Sequence, residues 1–299
     1  MRAQMGATLQ DLMDTDPRLA IVLADISHGY FERAAAAYPE RVIKVGIMEQ
    51  TAVSLAAGLA IEGFIPVVHS ITPFIVERPF EQIKVDFCYQ RLGGNIISTG
   101  ASYDYGTDGM THYGMGDVPI LRTLPGMEVV VPGTAGEFDA LFREAYADGA
   151  PTYFRVAEQQ NLADRAVRFG RLEVVRRGSA AVVVAVGPML DRVLEAVADL
   201  DVSVVYCTTV APFDGETLRA AMPAAPAATR AVVVVEPYYE GTLVPEIVAA
   251  LGPDPVRIEA IGVPRRVLSR YGTIDQHDAD LGLSVAGIRA RIETFLAKG

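Results

Sequence analysis

The sequence predicts an α/β protein of two consecutive three-layer domains with mostly parallel sheets. Three observations predict it. Apolar runs of strand length recur at 19–23, 42–45, 65–70, 95–99, 127–131 and 151–156, with helical patterns interleaved. The alternation restarts beyond residue 178, with runs at 180–186, 202–205, 231–235 and 256–261. Between the two sets, 161–178 is less periodic and more charged and reads as a linker, which gives domains at 1–160 and 179–299. Strands that alternate with helices imply right-handed crossovers and parallel pairing.

The elements follow in order. Residues 7–13 form a short amphipathic helix. The run 19–23 is a strand that delivers Asp25 and His28 at its C-terminal end, where parallel α/β sheets place ligands. A helix over 31–37 precedes the strand 42–45. Next comes Gly46-Ile47-Met48-Glu49-Gln50, a tight turn and helix start, and the helix runs to about residue 61. Glu49 then sits at a helix N-terminus in an apolar neighbourhood. The helix dipole favours its anion, while desolvation favours the neutral acid. A backbone-satisfied helix-start carboxylate and a protonated, hydrogen-bond-donating acid are both consistent with that placement.

The strand 65–70 ends at His69-Ser70, and 80–89 reads as an amphipathic helix. After the strand 95–99 comes a long polar loop, 100–114, rich in Gly and aromatic residues and carrying His112. It reads as a functional loop on a rigid sheet. A helix-like turn begins at 120–122, and a helix spans 135–147. In the second half helices are expected at 189–200, 243–250 and 283–297, with 220–228 as a loop.

The chain has 299 residues, of which 51% are hydrophobic, enough for two cores. The formal net charge of −11 argues against a nucleic-acid partner and an anionic membrane surface. Cys88 and Cys207 lie far apart and read as reduced core thiols, with no metal-ligand spacing around them. Neither a signal peptide nor a membrane-spanning run is evident, so a soluble cytoplasmic protein is expected.

Three segments, taken together, carry a family resemblance. Gly46-Ile47-Met48-Glu49-Gln50, Asp108-Gly109-Met110-Thr111-His112 and Leu121-Arg122-Thr123-Leu124-Pro125-Gly126-Met127 resemble, in order and spacing, the pyrimidine-binding domain of thiamine-diphosphate-dependent, transketolase-like enzymes. The second half is similar to their C-terminal domain through Ala211-Pro212-Phe213-Asp214, Val235-Glu236 and Ile261-Gly262. The resemblance implies that Glu49, its pKa raised, shares a proton with the cofactor's aminopyrimidine. It implies that Phe74, with Phe80 as the alternative, stacks on the pyrimidine ring, with Met48 beside it. His112 is implied to face the substrate and assist proton transfer. Asp25 resembles the family's Asp near the thiazolium, and His69 and His28 are weaker substrate-side candidates, equally readable as structural histidines.

Two departures shape the functional expectation. Standard transketolases carry S-R-Q-N-L after the strand that matches 151–156, and its Arg binds a sugar phosphate. Here the stretch is Ala157-Glu158-Gln159-Gln160-Asn161-Leu162, so that Arg is missing; Arg155, slightly earlier, and Arg78 and Arg122 are the other cations at hand, and an unphosphorylated or unusual acceptor is as open as a phosphorylated one. The family's G-D-G motif for diphosphate and Mg2+ is absent. The resemblance therefore implies half an enzyme, a split transketolase whose second subunit carries the diphosphate domain and Mg2+ ligands, in a heterotetramer acting on sugars or sugar phosphates. The alternatives are a beta subunit of a 2-oxoacid dehydrogenase, a deoxyxylulose-phosphate synthase-like enzyme, and a non-catalytic scaffold subunit.

Overall fold

The computed structural model describes residues 1–223 and 230–298. Its first sheet is built from β1 (Leu19–Leu23), β2 (Val42–Lys44), β3 (Ile65–Ile71), β4 (Gly94–Thr99), β5 (Glu128–Val130) and β6 (Pro151–Val156). The second is built from β7 (Leu172–Arg176), β8 (Val182–Val186), β9 (Ser203–Cys207), β11 (Ala231–Tyr239) and β12 (Arg257–Val263), while β10 (Thr209–Ala211) returns to the first. The orders are β10-β5-β6-β4-β3-β1-β2 and β12-β11-β8-β9-β7. Among the described strands, β10 on β5 and β7 on β9 pair antiparallel and the other pairs are parallel. Every residue of β1, β4, β6, β8 and β9 is buried, as central strands covered on both faces require.

Several expectations shift. The stretch 161–178 is not a featureless linker, because β7 lies within it and completes the second sheet. The first helix spans Arg2–Thr15, and helices at Gly215–Ala221 and Ile274–Leu281 were not foreseen. The segment 80–89 is a short α-turn, Phe80–Gln82, followed by π-helix over Ile83–Tyr89, which closes with Leu92 N–H donating to the Phe87 carbonyl five residues back. Of the expected loop at 220–228, Ala220 and Ala221 end a helix, and 224–228 fall outside the described residues.

The two domains are bound into one unit. β10 lends three residues of the second half to the first sheet. Arg122 of the first domain pairs with Glu246 of the second. Cys88 and Cys207 are free thiols. No helix among the described residues is long and apolar enough to cross a membrane.

In the first sheet the connections reverse direction at β1, with β2 on one side and β3 then β4 on the other. Such a reversal opens a crevice at the carboxyl ends of the strands. The segments after β1, β2, β3 and β4 all emerge there, and they hold Asp25, Glu49, Phe74 and His112.

Candidate active site

Gly46, at φ +75°, makes the turn that β2 needs before the helix Glu49–Ile61. Glu49 is that helix's first residue, and it is 2% exposed. One carboxylate oxygen accepts from Arg78 Nη1 at 3.1 Å, and the other lies 3.5 Å from Ser70 Oγ at the end of β3. The guanidinium of Arg78 also lies 3.8 Å from the Phe74 ring centroid. Phe74 meets His112 edge-on at 5.1 Å, and the Tyr105 ring stands perpendicular to His112 at 6.1 Å. Carboxylate, guanidinium, two aromatic rings and an imidazole thus form one continuous row along the mouth of the crevice. Ile47 and Met48 border it, 68% and 52% exposed, which leaves an apolar rim beside Glu49.

The remaining histidines separate by surroundings. His69 is fully buried on β3; its Nδ1 lies 2.9 Å from the Ile97 carbonyl and its Nε2 2.9 Å from Ser27 Oγ. A carbonyl only accepts, so Nδ1 carries the proton and Ser27 donates to Nε2. Burial pushes His69 down to about 4, and it is neutral at ordinary pH. His28 Nε2 lies 3.0 Å from the exposed Asp25 carboxylate. Phe80 is half-buried against the core beneath the helix Glu49–Ile61, while Phe74 is the ring that meets Arg78 and His112.

The chain matches the pyrimidine-binding domain of transketolase over residues 1–162 and the transketolase C-terminal domain over 170–288. The chain belongs to the transketolase family. It is 40% identical over 297 residues to an uncharacterized 33.6 kDa protein in the fasciation locus of Rhodococcoides fascians, covering 99% of this chain and 95% of that one. It is 32% identical over 307 residues to 1-deoxy-D-xylulose-5-phosphate synthase 1 of Geobacter sulfurreducens, and spans about half of that protein, 47%. Among solved structures it is similar to a split-gene transketolase described as an inactive beta4 tetramer, at 28% identity and a TM-score of 0.83, covering 99% of this chain and 97% of that one.

Within this transketolase-family chain, Arg155 must be corrected as a substrate cation. It lies on β6, is 1% exposed, and gives Nε to Asp117 at 2.7 Å and Nη2 to Ser102 Oγ and the Gly114 carbonyl at 3.0 and 2.9 Å. A central strand buried on both faces turns any charge it carries into a structural one. Arg122 is likewise engaged, by Glu246.

Two supports of the site come from further away. The loop 100–114 is braced by the second domain: Tyr113 Oη lies 3.0 Å from His277 Nε2, Tyr103 donates to Asp278, and Gly272 N–H donates to the Gly106 carbonyl. A Cβ on Gly106 would sit 2.2 Å from the Gly272 carbonyl, so this approach requires glycine. The second support is Arg2, which sequence reading did not single out. Its Nε donates to Thr99 Oγ1 at 3.0 Å, and its Nη2 to Tyr105 Oη at 2.6 Å and Glu158 Oε1 at 3.3 Å. No local signal marks an Arg at a helix start as a site residue; the packing of that helix beside the end of β4 does.

Proposed function

We propose that the chain is the C-terminal subunit of a two-subunit transketolase, transferring a two-carbon ketol unit from a ketose to an aldose. The observation that carries this reading is the row Glu49–Arg78–Phe74–His112 at the reversal of the first sheet. The two-way coverage with a split-gene transketolase supports the subunit character, and that relative is described as inactive as a beta4 tetramer. In this reading the partner subunit supplies the diphosphate-binding domain and the Mg2+ ligands, and two chains of each kind assemble.

The residues present fit the pyrimidine end of thiamine diphosphate. A buried carboxyl, Glu49, would hold a proton shared with a ring nitrogen, and Phe74 would offer its face to the ring. The apolar rim of Ile47 and Met48 would cover the ring edge. Bound there, the cofactor would supply a nucleophilic carbon for the donor's carbonyl. Arg78, with a side chain 41% exposed, releases Glu49 and turns toward substrate. His112, half-buried with Nδ1 3.0 Å from Thr111 Oγ1, moves protons at the substrate's hydroxyl and carbonyl oxygens. Asp25, paired with His28 after β1, would lie toward the thiazolium end, and His28 toward substrate.

A second reading, a deoxyxylulose-phosphate synthase-like activity, is favoured by the relative from Geobacter sulfurreducens. The test is to assay the chain with its co-expressed partner for ketol transfer between a ketose and an aldose, and separately for CO2 release from pyruvate. Ketol transfer by the pair, with none by this chain alone, is the expected result. CO2 release without ketol transfer moves the assignment to the second reading. Turnover of neither kind favours the scaffold subunit.

A further inference from the structure

The segment after β12, residues 264–272, concentrates positive charge in a chain whose formal net charge is −11: it holds Arg265, Arg266 and Arg270. With the helix Ile274–Leu281 it encloses a cavity of about 340 Å³, lined by Arg266, Leu268, Ser269, Arg270, His277 and Leu281 among others. The carboxylate on that wall, Asp280, lies 2.8 Å from Arg270, which leaves Arg266 without an ion pair among the described residues. Asp278, beside His277, is taken up by Arg192 at 2.6 Å and by Tyr103. His277 is the buried member of the wall, 4% exposed. Its Nε2 lies 3.0 Å from Tyr113 Oη, which also has the Gly106 and Arg270 carbonyls at 3.0 and 3.1 Å. A phenol has one proton and a carbonyl only accepts, so Nε2 donates to Tyr113. Nδ1 is left without a partner among the described residues. Tyr113, 2% exposed, follows His112 in the chain. The Tyr271 ring packs on the same loop, where a Cβ on Gly109 would lie 2.5 Å from it.

We infer that this cavity binds a small phosphate monoester and that its occupancy holds the His112 loop in place. Two guanidiniums against one carboxylate leave the wall a cation for the phosphate, and guanidinium meets phosphate oxygens through paired donors. Ser269 adds a hydroxyl donor. Nδ1 of His277 and a phosphate oxygen can share one proton, because imidazole and phosphate monoesters ionise over the same pH range. Leu268 and Leu281 offer apolar surface to the ligand's carbon skeleton. A phosphate gripped by Arg266 and Arg270 fixes the segment between them. It thereby fixes the Arg270 carbonyl and the His277 ring, the two groups that hold Tyr113 beside His112. The site belongs to the second domain and does not depend on the ketol-transfer reading.

The test is thermal unfolding of the full chain with millimolar glycerol 3-phosphate, inorganic phosphate or glycerol, against sodium chloride matched in ionic strength. It is run on the native protein and on Arg266→Ala and Arg266→Glu, both at an exposed position. The ester should raise the Tm of the native protein by about 2–4 °C, with no rise from glycerol or salt. Inorganic phosphate should give a smaller rise, because it leaves Leu268 and Leu281 uncovered; an equal rise supports the site with free phosphate as its ligand. The rise should shrink in Arg266→Ala and vanish in Arg266→Glu. No rise, a rise that salt reproduces, or one that both variants keep overturns the inference. A second measurement reads the loop itself. Amide hydrogen exchange over residues 103–114 should slow with the ester in the native protein and not in Arg266→Glu. Unchanged exchange in the native protein overturns the link to His112. Absence of ketol transfer bears on the functional reading alone, since neither measurement involves turnover.

Discussion

The Arg78 guanidinium lies 3.1 Å from the Glu49 carboxylate, where this buried acid opens onto the crevice of the first sheet. The pair is asymmetric. Glu49 is 3% exposed at its side chain and Arg78 41%, so the arginine can leave while the acid stays. Replacing Glu49 by Gln keeps the shape and removes the ability to exchange a proton. Turnover of the two-subunit enzyme is expected to fall by about 10²–10⁴-fold. Stability should change by no more than about 1 kcal/mol, because an ion pair with a half-exposed partner contributes little. Kinetics and urea unfolding of the same variant check both halves; full activity in Glu49→Gln would remove Glu49 from the chemistry.

Phe74 and Phe80 differ in what they touch, and their variants should separate. Phe74→Leu removes the ring that meets His112 and Arg78, and is expected to weaken thiamine diphosphate binding by about tenfold, the size of one aromatic contact. Phe80→Leu should lower stability, since Phe80 packs on the core, and leave cofactor affinity within about twofold. Calorimetric titration of the assembled pair distinguishes them.

Arg155 should behave as a structural cation. Arg155→Met leaves Asp117 buried without its charge partner, which costs about 3–5 kcal/mol. Denaturant unfolding is expected to show this loss. Acceptor selectivity, measured as a ratio of kcat/KM values, should not move, whereas a shift in that ratio would return Arg155 to the substrate.

His69 predicts a pH dependence. Its folded value is about 4 against an ordinary 6.5, so between those values the unfolded chain binds more protons than the folded one. Stability from this group is therefore full above pH 6.5 and is lost as pH falls toward 4. At 1.36 kcal/mol per unit the loss amounts to about 3 kcal/mol. His69→Gln should flatten that part of the profile in urea titrations at pH 4.5 and 7, and an unchanged slope would assign the acid sensitivity elsewhere.

Much of the architecture was legible because it rests on local pattern. The helix after β2 begins at Glu49 and ends at Ile61, where the small-residue run ends, and the apolar runs fall on the central strands. β10 was not legible, because three residues carry no period and its partner β5 belongs to the other half of the chain. The helix Ile274–Leu281 did leave a local signal, the Thr273–Gln276 capping box, which becomes informative once His277 and Asp278 are seen beneath the His112 loop. The candidate site divides the same way. Glu49 and His112 stood out through motif and spacing. The buried role of Arg155 and the presence of Arg2 depend on which faces the sheet covers.

The central claim is a cofactor site shared between two polypeptides. The most direct measurement is calorimetric titration of thiamine diphosphate with Mg2+ into this chain alone, into its partner alone and into the assembled pair. Saturable binding by the pair and by neither part is the predicted result. Tight binding by this chain alone would contradict the claim.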